Sequence, residues 1–287
     1  MIKYAYEVNG FLPYWTPRKA TNISLPKCVE DLSKLGYQGV ELMGAWAEQI
    51  VAAYGNIDKF KEHLKANKME LAGVYYSDMF HDRSRWPNIM DYVEGLAAFL
   101  KECGSSNLIV GTPGRRTVGW IVTDEHIATI AECFQRMAAR TLKYGVKPTI
   151  HPHYETTIER RSELDKLMAI TEPTLVGLCI DTAQLFVAGE DGLDAIKTYK
   201  DRINYLHFKD AKEVVVRGEV LIHRKRLFYE VGQGKVDFSA IMNILKDMKY
   251  DGWVVIECDH PDLTPTPLES ARMTKEYIDK VLSKIYK

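Results

Sequence analysis

The chain of 287 residues is 46% hydrophobic and 27% charged, an ordinary globular composition with enough length to bury a large core. Its 38 Lys and Arg offset 39 Asp and Glu to a net charge of −1, so no basic field favours nucleic acid or an anionic membrane surface. No window reaches the ~18 consecutive apolar residues of a membrane span. The N-terminus lacks the basic and apolar regions of a signal peptide, and the five scattered cysteines form no CxxC pair, so a reduced, cytoplasmic protein without membrane attachment is expected.

Short apolar runs alternate with longer segments of helical period. The runs predict strands over 3–8, 39–43, 70–76, 107–110, 147–151, 176–180, 203–208 and 253–257. Between and after them, helices are expected over 24–35, 56–67, 88–102, 123–144, 160–170, 192–199, 237–248 and 267–284. Asn56, Thr123 and Asp237 are start signals, and Gly36, Gly104, Gly145 and Gly252 fall between a helix and the next strand, where a left-handed residue closes a helix. Eight strands alternating with eight helices in this length match an α/β chain folded as a (β/α)8 TIM barrel. A doubly wound sheet is disfavoured, because no GxGxxG follows the first strand and no phosphate loop is present. Neither a Pro/Gly/Ser-rich linker nor a low-complexity tract divides the chain, so 1–287 reads as one domain. The longest loop, from Asp210 to about Val236, is expected to carry a small hairpin around Arg217-Gly218.

In such a barrel the active site is built from the C-terminal ends of the strands. Strand five runs into Thr149-Ile150-His151-Pro152-His153-Tyr154-Glu155, strand six ends in Asp181-Thr182, strand seven in His207-Phe208-Lys209-Asp210, and strand eight in Glu257-Cys258-Asp259-His260. Four successive strands thus deliver a metal-competent side chain to one rim. In an extended strand His151, His153 and Glu155, spaced by two, share a face. Mixed imidazole and carboxylate donors without paired thiolates suit a catalytic divalent ion, Mn²⁺ foremost, with Co²⁺, Fe²⁺, Zn²⁺ or Mg²⁺ as alternatives. Such an ion polarises a carbonyl while a neighbouring base removes the α-proton.

Each residue also has a plainer reading. Asp181 before Thr182 can cap a helix, and His207 can be a satisfied core histidine. Glu41 can enter the pocket as a substrate contact or cap the next helix. Lys209 can orient a substrate oxygen or pair with Asp210 at the rim. Arg115 and Arg116, in Gly111-Thr112-Pro113-Gly114-Arg115-Arg116, can cradle a phosphate or carboxylate or simply be solvated. Tyr4, Tyr6, Tyr75, Tyr76, Phe80 and Trp86 can wall a sugar site, with Tyr6 as a substrate contact, or pack in the core. The plain readings would have to coincide at four successive strand ends, which favours the metal site.

Several stretches resemble the xylose-isomerase-like sugar isomerase/epimerase superfamily nearly end to end: Gly36-Tyr37-Gln38-Gly39-Val40-Glu41, His151-Pro152-His153, Cys179-Ile180-Asp181-Thr182, His207-Phe208-Lys209-Asp210, Gly232-Gln233-Gly234-Lys235-Val236-Asp237-Phe238 and Tyr250-Asp251-Gly252-Trp253-Val254-Val255-Ile256-Glu257. Within it the motifs are most similar to the inosose dehydratase branch and related lyases that cleave keto-glycosides. The resemblance implies metal ligands at Asp181, His207 and Glu257, with His151 or Glu155 as the strand-five ligand. Relatives commonly have Glu where His151 stands, Gly where Glu155 stands, and Gly-His where Ala183-Gln184 stand.

The resemblance implies a lyase acting on a keto-sugar, keto-cyclitol or 3-keto-glycoside. Glu257 or a strand-five His would remove the α-proton, and His153 or Glu155 would protonate the departing group. A ketose isomerase or 3-epimerase is the alternative. An endonuclease of the related AP-endonuclease group would be expected to have more ligands and a basic face, and a catalytically dead binding barrel would not need all four strand ends intact. The expected partner is a small molecule; barrels of this kind often self-associate, so a homo-oligomer is expected, with a small partner subunit as a further candidate.

Overall fold

The computed structural model describes residues 1–11, 24–44, 47–112, 121–215, 226–258 and 265–286. Their strands are β1 (Lys3–Glu7), β2 (Gly39–Met43), β3 (Glu70–Ser77), β4 (Asn107–Gly111), β5 (Lys147–His151), β6 (Gly177–Asp181), β7 (Ile203–Phe208), β8 (Asp210–Ala211), β9 (Phe228–Tyr229) and β10 (Trp253–Ile256). All but β8 and β9 are parallel and close on themselves in the order β1-β10-β7-β6-β5-β4-β3-β2, with β1 bonded to both β2 and β10. This is the (β/α)8 TIM barrel expected from the alternation.

The helices are α1 (Leu25–Lys34), α2 (Ala47–Tyr54), α3 (Ile57–Ala66), α4 (Trp86–Glu102), α5 (Asp124–Thr141), α6 (Arg161–Ile170), α7 (Thr182–Val187), α8 (Gly192–Thr198), α9 (Phe238–Asp247) and α10 (Pro267–Tyr277). Asn56, Thr123 and Asp237 cap α3, α5 and α9 by accepting a hydrogen bond from the third helical amide. The short α2 and α7 had no counterpart among the expected helices. Gly36, Gly104 and Gly145 do take left-handed backbone, but Gly252 does not. Before β10 that conformation falls on Lys249 (φ 54°), and Gly252 is small for another reason: a Cβ there would lie 2.5 Å from the Tyr250 hydroxyl.

Strand residues alternate between two cores. Val40, Val74, Val110, Ile150, Ile180, Leu206 and Val254 point outward and pack with helix residues such as Val29, Leu96, Phe134, Leu164 and Ile241. Fully burying one such side chain contributes roughly 1.5–3 kcal/mol. Ala5, Ala72, Ile109, Cys179, Tyr205, Trp253 and Val255 point inward and plug the barrel. Two residues farther along the same strands stand Glu7, Asp181, His207 and Glu257, so the period of two places polar groups directly above an apolar plug. The same alternation corrects the expectation for Tyr6. Lying between inward Ala5 and Glu7, Tyr6 points outward, is 1% exposed, and packs edge-on against Phe11 and Tyr37, so it is no substrate contact. Tyr4, Tyr76, Phe80 and Trp86 belong to that outer core as well, and of the six aromatics only Tyr75 packs against the inner plug.

β8 and β9 pair antiparallel across the loop after β7, Asp210 opposite Tyr229 and Ala211 opposite Phe228. The turn expected at Arg217-Gly218 lies outside the described residues. Among the described residues, no helix is long and apolar enough to cross a membrane.

Candidate active site

At the C-terminal mouth, four successive strands bring His151, Asp181, His207 and Glu257 together, one ligand-capable atom from each lying within 4.8 Å of the others. Asp181 and His207 are register partners across β6 and β7, and Val255 is the partner of His207 across β7 and β10. Glu257 follows β10, its amide still donating to the Phe208 carbonyl at 3.2 Å. His207 Nδ1 lies 3.0 Å from Glu257 Oε2, and His151 Nε2 lies 3.7 Å from Asp181 Oδ2. Lys209, two residues beyond His207, projects inward as well. Its ammonium donates to Glu257 Oε1, lies 3.6 Å from Asp181 Oδ2, and sits under the Phe228 ring. This corrects the rim pairing of Lys209 with Asp210.

Two observations fit a divalent cation here. Asp181 Oδ2 and both ring nitrogens of His151 are buried without a hydrogen-bond partner, and each such group costs roughly 1–3 kcal/mol when left unsatisfied. Four buried carboxylates, those of Glu7, Glu41, Asp181 and Glu257, share this end of the barrel with one buried ammonium, that of Lys209. Buried carboxylates thus outnumber buried ammonium groups here, a surplus that favours a bound cation. Cys179 lies near His151 and His207, but burial pushes its thiol up and keeps it protonated, which makes it a poor ligand.

The electrostatics follow from this crowding. Burial disfavours ionised Glu257 and Asp181, but the Lys209 ammonium together with His151, and for Glu257 also His207, outweighs it and holds both carboxyls below their ordinary range, Glu257 far below. Burial likewise disfavours protonated His207, yet Glu41 and Glu257 raise its pKa well above that of a free imidazole. Asp181 combines its two readings. Its Oδ1 caps α7, accepting from the amides of Ala183 (2.8 Å) and Gln184 (2.9 Å), while Oδ2 points to His151 and Lys209.

His153 is differently placed. Its Nδ1–H donates to the Tyr154 carbonyl at 2.6 Å, and its Nε2 faces the Gln184 side-chain amide at 2.9 Å. Burial, then the charges of His151 and Lys209, push its pKa down to about 4, so it is a neutral ring with both nitrogens engaged rather than a ready proton donor. Gln184 therefore matters to the site in a way that only its departure from relatives hinted at.

Glu155 is outside the cluster. β5 ends at His151, the chain turns, and Glu155 is exposed in left-handed backbone at φ 60°, so the shared face expected of an extended strand is lost. Of the two strand-five candidates, His151 lies in the cluster and Glu155 does not. Glu41 is fully buried against His207 and caps no helix among the described residues. Arg115 and Arg116 lie outside the described residues. Glu7, in register with Glu41 and 4% exposed, was overlooked, although the strand-end rule that singled out Glu41 applies to it equally.

The chain matches the family model described as xylose isomerase-like TIM barrel over residues 29–280. It belongs to that family. Among curated relatives, it is 25% identical to an inosose dehydratase of Lacticaseibacillus casei strain BL23 over 99% of this chain and 98% of that one. It is 28% identical to an inosose dehydratase of Geobacillus kaustophilus, over 88% and 86% of the two chains. Among solved structures, the IolI protein with a binding zinc atom superposes with a TM-score of 0.82 at 17% identity, covering 99% of both chains. Within the family, the curated relatives thus fall in the branch that the motifs resemble, and these relatives are lyase-type enzymes.

Proposed function

We propose that the chain is a divalent-metal-dependent lyase acting on a keto-cyclitol or keto-sugar by α-proton abstraction and β-elimination. The supporting observation is the meeting of His151, Asp181, His207 and Glu257 beside the hydrogen-bonded pair Lys209–Glu257. The inosose dehydratase relatives favour loss of water over isomerisation. His151, Asp181, His207 and Glu257 would hold the ion. When bound, it would act as a Lewis acid that makes the proton α to the substrate carbonyl more acidic.

The chain's own groups supply the proton traffic. Glu257, held as a carboxylate beside the Lys209 ammonium, accepts the α-proton, and the C–H electron pair becomes the new carbon–carbon double bond as the β C–O bond breaks. Lys209 gives its proton to the departing oxygen, so that water leaves, or an alcohol from a keto-glycoside. Glu257 then returns its proton to Lys209 across their hydrogen bond, and both groups end as they began. Lys209 takes the acid role in place of His153, whose Nδ1–H is committed to a backbone carbonyl.

Proton NMR in D₂O tests this, with metal-loaded and EDTA-treated protein offered inososes, 3-keto-glycosides and ketose phosphates. Metal-dependent loss of the α-proton signal with release of water or an alcohol is expected. Exchange that yields a new ketose or aldose would overturn the lyase in favour of an isomerase or 3-epimerase.

A further inference from the structure

We propose that Glu41 is a positioning residue: by accepting the Nε2–H of His207 it turns Nδ1, and not Nε2, toward His151, Asp181 and Glu257. This rests on the metal-binding reading above and adds to it which nitrogen ligates and what selects it.

A histidine ligand can bind through either nitrogen, and the choice is set by the hydrogen bond that the other nitrogen makes. His207 Nε2 lies 3.0 Å and 3.2 Å from the two carboxylate oxygens of Glu41, while Nδ1 faces Glu257 at 3.0 Å. Flipping the ring would put carbon where each nitrogen now stands and lose both carboxylate contacts, and Tyr205 below, at 5.8 Å between ring centroids, and His151 beside it, at 4.8 Å, pack it on two sides. The Glu41 carboxylate lies against His207, the contact through which it acts.

The backbone is built to aim it. The ladder between β2 and β3 slips by one residue at this point, Val40 pairing with Leu71 and Glu41 with Gly73. A bulge of this kind re-aims a side chain. The ladder between β6 and β7 slips similarly just before the inward-facing Tyr205 and His207, Leu178 pairing with Ile203 and Cys179 with Tyr205. At Gly73, a Cβ would meet the Tyr205 hydroxyl at 2.9 Å and Ile109 at 2.8 Å, so the residue opposite Glu41 must stay small to keep the floor under His207. Two irregular ladders thus converge on one carboxylate–imidazole contact.

The test uses full-length protein with ¹⁵N-labelled histidine, loaded with diamagnetic Zn²⁺. Long-range ¹H–¹⁵N spectra read the tautomer of His207, and a chelator competition reads Zn²⁺ affinity. In the wild type, Nε2 should be protonated and Nδ1 should carry the metal-bound shift. E41Q keeps an acceptor oxygen and should keep that tautomer with an affinity loss below about 10-fold, while E41L loses the acceptor and should lose about 10–100-fold with a mixed tautomer. Circular dichroism and a thermal melt in chelator establish that each variant folds. Ligation through Nε2 in the wild type would overturn the inference without any variant, as would wild-type affinity and tautomer in folded E41L. A wild-type protein that binds no Zn²⁺ would instead sink the metal reading itself, a distinguishable result.

Discussion

Asp181 and Asp210 sit at the ends of neighbouring strands, both buried, and their surroundings differ in one respect. Asp210 spends both oxygens on backbone amides: Oδ2 accepts from Gly232 (3.0 Å) and Gly234 (2.7 Å), and Oδ1 from Ala211 (2.8 Å) and Val236 (3.1 Å). Gly234 is required by that closeness, since a Cβ there would lie 2.2 Å from Asp210 Oδ1. Gly232, at φ 90°, is required by backbone conformation. Asp181 spends only Oδ1 on amides and leaves Oδ2 buried without a hydrogen-bond partner. A saturated carboxylate organises a loop, and an unsaturated one is available to a ligand. The GQG segment therefore reads as architecture that seats the loop beside the mouth, and the Asp181 cluster as the chemistry.

Substituting the two aspartates should give opposite consequences for metal and for stability. D181N should cut turnover by at least about 10³-fold and remove bound metal, beyond the 10–100-fold typical of outer-shell partners, measured by steady-state kinetics and metal analysis. The metal-free melting temperature should change little, because the Asn oxygen still caps α7. D210A leaves four amides without an acceptor and should cost roughly 2–4 kcal/mol, a fall of about 5–10 °C by calorimetry, with one metal per chain retained. Loss of metal in D210A with no change in melting would reverse the assignment.

A third variant sharpens the charge balance. K209M removes the ammonium between Glu257 and Asp181, so the metal-free protein should lose about 3 kcal/mol while metal binds more tightly and turnover falls. Weaker metal binding by titration would argue that Lys209 belongs to the ligand shell's support rather than opposing the cation. The smallest effect is expected from E155G, which relieves a left-handed non-glycine residue and should stabilise by about 1 kcal/mol with metal affinity untouched. A loss of metal affinity there would restore Glu155 as the strand-five ligand.

These outcomes bear on what the chain made legible. Barrel strands and most helices follow from apolar periodicity and caps, which are local. The strand-end rule brought His207 and Glu257 to the mouth, and the period of two, applied without exception, places Lys209 inward after Tyr205 and His207, and Tyr6 outward. It failed after His151, where the strand stops and positive φ at Glu155 ends the alternation. The grip of Asp210 on the GQG segment joins residues more than twenty positions apart, and the contact of Glu41 with His207 depends on a register slip in the ladder; neither has a local signature. Gln184 was visible as a departure, but its bond to His153 was not.

His151, Asp181, His207 and Glu257 are proposed to hold one divalent ion. The most direct test follows the electron paramagnetic resonance signal of free Mn²⁺ as it is titrated into EDTA-treated wild type, D181N and D210A. One equivalent should vanish from the free signal with wild type and with D210A, and none with D181N. Stoichiometric uptake by D181N, or none by the wild type, would contradict it.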